Sequence, residues 1–309
     1  MIATLRGLQG AYVQKFAIAV AAIATLASTS VFAADMPVNA PPATVWNWSG
    51  FYIGAGGSFN WSRFDQALQA VSGIQTITLG PDLAALAQEG GPFFPFNRNE
   101  SGFAPDVQLG YLFPFAGGDW LAGLKFNYKY ANINSQENVS IPQSGTLTRL
   151  VGPPMTENIT GFVQISPAEI NLRHQLALMA TIGRAFDRLT IYVGGGPALF
   201  DVKTNFINGV AFAVIRGEVV SPSGAPITAL NDNWVWGGAV QLGATYALAP
   251  RWFLDFAYTY AWSANVNISN SFCFGNQIGP LASSGCGVVN AQERVTNQSV
   301  MLTLNRQFW

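Results

Sequence analysis

Residues 251–262 read Arg-Trp-Phe-Leu-Asp-Phe-Ala-Tyr-Thr-Tyr-Ala-Trp, and alternate positions differ in kind. Trp252, Leu254, Phe256, Tyr258, Tyr260 and Trp262 are large and apolar or aromatic; Asp255, Ala257, Thr259 and Ala261 between them are small or polar. Successive side chains of a strand point to opposite faces, so a period of two is a sheet with one oily face and one small, polar face. A strand of a soluble sandwich can look like this once. Here the pattern recurs in about eight segments, with aromatics at the ends of the oily face, as in barrels whose outer wall meets hydrocarbon.

Composition supports that reading. The 309 residues are 50% hydrophobic but only 10% charged, against roughly a quarter charged in soluble domains. The body of the chain has no apolar run of about 18 residues, which disfavours spanning helices. A net charge of −1 without a basic tract argues against nucleic acid as a partner. Residues 1–33 have the form of a signal peptide: Arg6 and Lys15 give the positive region, 16–27 the apolar run and Val31-Phe32-Ala33 the cleavage site. The run is too short for a stable span, although an uncleaved anchor helix is the alternative. Residues 34–48 are expected to be a Pro-rich periplasmic leader and 49–309 a barrel domain.

The alternation predicts strands at 50–62, 102–113, 119–132, 170–185, 189–201, 233–248, 251–262 and 293–308. Long loops are expected at 63–101, 133–169, 203–232 and 264–292. Within them, a short helix is read over 82–86 after Pro81, an extension of the fourth strand over 157–165, and an extra hairpin over 210–220. Short connections near 114–118, 186–188 and 249–250 alternate with the long loops. Outer-membrane barrels have short periplasmic turns and long outer loops, and an even strand number returns both ends to one side. The expected fold is therefore all-β: an eight-stranded antiparallel transmembrane up-and-down β-barrel. Closure is required because unpaired backbone groups in hydrocarbon cost several kcal/mol each. No peptidoglycan-binding domain is expected after the last strand.

After the leader comes Trp46-Asn47-Trp48-Ser49-Gly50-Phe51-Tyr52-Ile53-Gly54, and the C-terminus is aromatic. In these features the chain resembles the small outer-membrane barrel proteins of alphaproteobacteria, described as outer membrane immunogenic or "porin family" proteins. The resemblance implies a surface-exposed, eight-stranded barrel with no catalytic residues to carry over. It also implies a terminal aromatic signal for the barrel-assembly machinery, here Phe308 or Trp309. Phe308 follows Val300, Leu302 and Leu304 in the outward register, Trp309 falls one beyond it, and Arg306 stands where an apolar residue is usual.

The inward set contains Asp106, Lys125, Lys129, Arg173 and Asp255. Unpaired burial would be expensive, so these are read as a lumen charge network, with a gate or narrow ion path as the functional alternative. Eight strands leave a lumen just wide enough for side chains, which favours the filled barrel. Trp61, Trp120, Tyr130, Trp234, Trp252, Tyr260 and Trp262 are read as a lipid-facing aromatic belt. Cys273 and Cys286, exported to an oxidising compartment, are expected to form a disulfide, not a metal site. His174, the sole histidine, lacks a serine or acidic orienter nearby in sequence and is read as a rim residue. Two glycosylation sequons and the Gly194-Gly195-Gly196 run carry no site. No cofactor or catalytic residue is expected; the expected partners are outer-membrane lipid, lipopolysaccharide and the assembly machinery, with the loop ligand unread. The leading function is a structural and interacting surface barrel, followed by a narrow pore and then a lipid-modifying enzyme.

Overall fold

Alternation needs neighbours on both sides before it becomes a stable sheet, and the computed structural model supplies them along most of the strand length. The structure describes residues 46–308 apart from 73–74, 80–82, 117–118, 154, 216–217, 222–225 and 279–280. The signal-like residues 1–33, the leader up to residue 45, and Trp309 lie outside the described residues. Among the described residues twelve strands form one sheet. They are β1 (Gly50–Ser72), β2 (Gln75–Leu79), β3 (Leu83–Gly90), β4 (Phe94–Phe115), β5 (Trp120–Arg149) and β6 (Thr156–Phe186). The second half adds β7 (Leu189–Ile215), β8 (Glu218–Val220), β9 (Ile227–Ala249), β10 (Trp252–Ser263), β11 (Val266–Ile278) and β12 (Leu281–Phe308). No helix among the described residues is long and apolar enough to cross a membrane.

The antiparallel pairing runs β1–β4–β5–β6–β7–β9–β10–β12, and β12 returns to β1 from Phe51↔Phe308 to Ser72↔Gly287. A sheet closed in this way leaves no edge where the circuit is complete. Short turns collect at one end, near Asp187 and Arg251, both with positive φ. The other end is built from tall hairpins. The small strands β2 and β3 bridge β12 and β5 there, β8 pairs with β7, and β11 pairs with β12.

Apart from β10, the strands of this circuit are far longer than the sequence pattern suggested. Most of the four stretches expected as loops is strand, and the helix expected over 82–86 is replaced by β3. The extension over 157–165 lies within β6, and the hairpin over 210–220 is the β7–β8 pair. The cause is a reversal of polarity along each strand. In β1, Phe51, Ile53, Phe59 and Trp61 are exposed on the outer wall, while Ser58, Asn60 and Ser62 are buried inside. Past Trp61 the roles exchange: Phe64, Leu68 and Ala70 fill the inside, and Arg63, Asp65 and Gln69 take the outer positions. Both halves have a period of two, but the apolar set changes face.

Inward tyrosines need room. A Cβ at Gly243 would collide with the Tyr192 ring and one at Gly110 with the Tyr52 ring, so these glycines are absences of side chain that a narrow interior requires.

Candidate functional site

The interior is filled in successive clusters, which can be followed along β1 and β12. At the turn end, Trp48, Tyr52, Leu121, Ala247 and Phe253 form an apolar plug. The Trp48 ring meets Phe253 at 5.8 Å, and its Nε1 donates to the Asp187 carbonyl at 3.2 Å. Gln307 Nε2 donates to the carbonyls of Asn47 and Ser49, at 3.1 and 2.6 Å. Trp48, which sequence reasoning assigned to the leader, is thus part of the core and seals the mouth.

The charged layer follows. Lys125 Nζ lies 2.5 Å from Asp255 Oδ2 and also donates to the Tyr192 hydroxyl at 2.7 Å and Gln241 Oε1 at 3.0 Å. Tyr192 donates to Asp255 Oδ1 at 2.7 Å, and Gln108 Nε2 to Asp255 Oδ2 at 3.0 Å. The second pair is in register, Asp106 opposite Lys129. Lys129 donates to Asn60 Oδ1 at 2.7 Å, and Asn297 links Asn60 to Gln175. The Asp106 carboxylate, with Ser58, Asn127 and Lys129 as its polar neighbours, makes no hydrogen bond of normal geometry. All four charged residues are at most 2% exposed, and their charges balance.

Beyond these charges lies an apolar cluster with Phe64, Ile133, Leu172, Phe200 and Val295. A further polar layer follows, built on residues that had been read as loop. Arg98 donates to the Ala168 carbonyl at 2.7 Å and to Gln66 Oε1 at 2.6 Å; Gln66 donates to Glu293, whose other oxygen accepts from Thr204 at 2.6 Å. Burial pushes the Arg98 guanidinium below its usual value, against the pull of Glu137, Glu293 and Glu100. Burial lifts Glu293 above the carboxylate range, against its bonds from Thr204 and Gln66. A last apolar cluster, with Leu68, Ile141, Val163, Ile165 and Phe206, fills the hairpin end. Cavities of about 20, 30 and 10 Å³ lie within the walls; spaces of this size take a water or two, not a solute.

Arg173 does not join the lumen network, contrary to the reading from alternation. The β6–β7 register slips between Leu172 and His174, and a bulge of this kind leaves an extra residue that breaks alternation. Leu172 and Gln175 remain inside, while Arg173 and His174 share the outer wall. There Arg173 pairs with Asp201 at 3.0 Å and with Asp232 at 2.5 Å. His174 Nδ1 bonds the Tyr128 hydroxyl at 2.9 Å, and its Nε2 lies 3.8 Å from Asp201. Its ring stacks between Tyr128 and Trp234. The fold supplies the acidic neighbour that the sequence around His174 lacked, but its hydroxyl partner belongs to a tyrosine. Asp201 was missed because it meets His174 only across the β6–β7 ladder.

Trp61, Trp120, Tyr130, Trp234, Trp252 and Tyr260 are exposed on the outer wall, and Trp262 is half-buried there. Phe308 is exposed beside Arg306, whose guanidinium lies 5.7 Å from its ring and 5.8 Å from that of Trp252. Cys273 and Cys286 face each other across β11 and β12 and are joined as a disulfide.

Several known proteins are similar to this chain. Residues 21–279 match the family described as outer membrane protein beta-barrel domain. The chain is 27% identical over 269 residues to the 31 kDa outer-membrane immunogenic protein of Brucella melitensis, covering 82% of this chain and 90% of that one. It is 28% identical over 203 residues to outer membrane protein P1 of Coxiella burnetii, covering 64% and 70%. Among solved structures, the outer membrane protein OprG from Pseudomonas aeruginosa aligns over 84% of this chain and 96% of its own, with 14% identity and a TM-score of 0.31.

Proposed function

The chain belongs to the outer membrane protein β-barrel family and resides in the bacterial outer membrane, and on that premise we propose a closed-lumen, surface-exposed barrel with a structural and interacting role. In this reading the eight strands β1, β4, β5, β6, β7, β9, β10 and β12 cross the bilayer, the short turns face the periplasm, and the hairpin ends stand outside. The spacing of the aromatics supports it. From Trp252 to Trp262 a strand rises roughly 33 Å; at a tilt of about 40° this spans about 25 Å, the height of the apolar band of such barrels. Lipid and lipopolysaccharide would surround that band, and the assembly machinery would read the final strand at Phe308.

The observation that carries the closed lumen is the sequence of clusters through the interior: apolar, charged, apolar, charged, apolar. An ion path would need continuous polar or hydrated space, whereas here apolar side chains lie above and below each charged layer. Planar-bilayer recording of the purified, folded protein should show no stable conductance. A reproducible open level in the unmodified chain would overturn the closed lumen and favour the narrow pore.

A further inference from the structure

The wall is closed by pairing at the turn end, but one seam opens toward the hairpin end. β9 and β10 pair up to Ser263↔Gly237, and the next contact is the Ala264 amide donating to the Trp236 carbonyl at 2.8 Å. Above it, residues 227–235 of β9 pair only with β7, and β11 pairs only with β12. Among the described residues no ladder joins these two facing edges. Farther up, Asn276 Nδ2 on β11 reaches the Ser221 carbonyl at 3.5 Å. The result is an elongated window with a free strand edge on each side.

Three independent features describe what fits there. First, β11 has neither a charged residue nor a proline along its 13 residues, although exposed edges usually carry such groups to prevent strand addition. The Cys273–Cys286 disulfide fastens this edge strand to β12. Second, Asn231 Nδ2 on β9 and Asn270 Nδ2 on β11 are buried donors without a partner among the described residues. Third, the cavity of about 30 Å³ is lined by both edges, through Ile227 and Ala229 on one and Asn270 and Phe272 on the other. We propose that this window is a β-augmentation site that accepts an extended, uncharged stretch of a partner polypeptide. The partner's backbone pairs with β11, its carbonyls take the free amide donors, and a single methyl group, about the size of a water, reaches the cavity. Edge pairing gives backbone hydrogen bonds, while alternate side chains read the pockets. The inference deepens the interacting role and rests on the hairpin ends lying outside the membrane; the closed lumen, tested by conductance, does not depend on it.

The test uses the full barrel in detergent micelles and a labelled peptide of about nine alternating threonines and valines, long enough to follow 227–235 at about 3.3 Å per residue. Fluorescence anisotropy should show saturable binding. N-methylation of alternate peptide nitrogens, which removes donors without changing side chains, should weaken it at least about tenfold. Ser269→Lys with Ser271→Lys, both on exposed β11 positions, should do the same, while Gln292→Lys on the doubly paired β12 should leave binding intact. Unchanged heat-dependent gel mobility establishes that each variant is folded. Absence of peptide binding at about 1 mM, or binding indifferent to N-methylation or to the edge lysines, overturns the proposal. Self-association of the barrel abolished by those lysines also overturns it, assigning the edge to a second copy.

Discussion

Asp255→Asn removes one charge from the interior while preserving the shape of the side chain, so its effect isolates electrostatic pairing. The side chains of Lys125 and Asp255 are 3% and 2% exposed and 2.5 Å apart. After the substitution Lys125 keeps Tyr192 and Gln241 as acceptors, but no carboxylate within salt-bridge reach. Breaking a buried pair from one side costs about 3–5 kcal/mol, because the remaining charge is uncompensated. Lys125→Met strands Asp255 in the same way. The double variant Lys125→Met with Asp255→Leu removes both charges and should cost at least about 2 kcal/mol less than the sum of Lys125→Met and Asp255→Leu measured singly. Part of the residual cost comes from Tyr192 and Gln108, each losing a partner worth about 1 kcal/mol. Urea titration of tryptophan fluorescence in phospholipid vesicles, with reversibility verified from both directions, measures each term. A change below about 0.5 kcal/mol for Asp255→Asn, or strict additivity in the cycle, would refute the interior pairing on which the filled lumen depends.

Leu254→Arg, placed on the outer wall between Tyr246 and Leu304 and two residues from the Trp252 end of the band, should destabilise the membrane-inserted barrel by about 1–2 kcal/mol, between the interface and midplane costs; an unchanged urea midpoint would contradict the assigned face. Reduction of Cys273–Cys286, separated by 13 residues, should release about 3 kcal/mol of loop constraint, read as faster proteolysis confined to the β11–β12 hairpin. Burial raises Glu89 from 4.5 to about 7, so the folded chain holds this proton more tightly than the unfolded chain. Its contribution is therefore unperturbed below about pH 4.5, grows unfavourable between about pH 4.5 and 7, and is fully unfavourable above 7. Glu89→Gln should accordingly stabilise the β3–β5 region at pH 8 by about 1–2 kcal/mol, after allowance for solvent screening, and have little effect at pH 4; amide hydrogen exchange at the two pH values measures the difference.

The part of the chain below the upper aromatic ring was legible because each outward residue there reports its surroundings directly. Trp252, Phe256, Leu242 and Leu302 are exposed apolar groups alternating with Asp255, Gln241 and Thr303 inside, and no other fold class explains that pattern repeated around a chain of this composition. The hairpin ends were read as loops because the polarity of the outer wall changes there. In the proposed orientation water replaces the apolar surroundings, so Asn138 and Ser140 stand outside while Val139 and Ile141 are buried. The period of two persists, and a search for alternation with the apolar face exchanged would have recovered these strands.

Local sequence determined the alternation, the positions of the turns and part of the list of interior charges, from which Arg98 and Glu293 were missing. Only tertiary structure decided that Arg173 leaves that list, since a one-residue bulge against β7 reverses its direction without any local mark. It also decided that Trp48 seals the mouth and that Asp201 meets His174. Alternation is a property of a single strand, whereas register, bulges and unpaired edges exist only between strands, so they become visible only when both partners are in place.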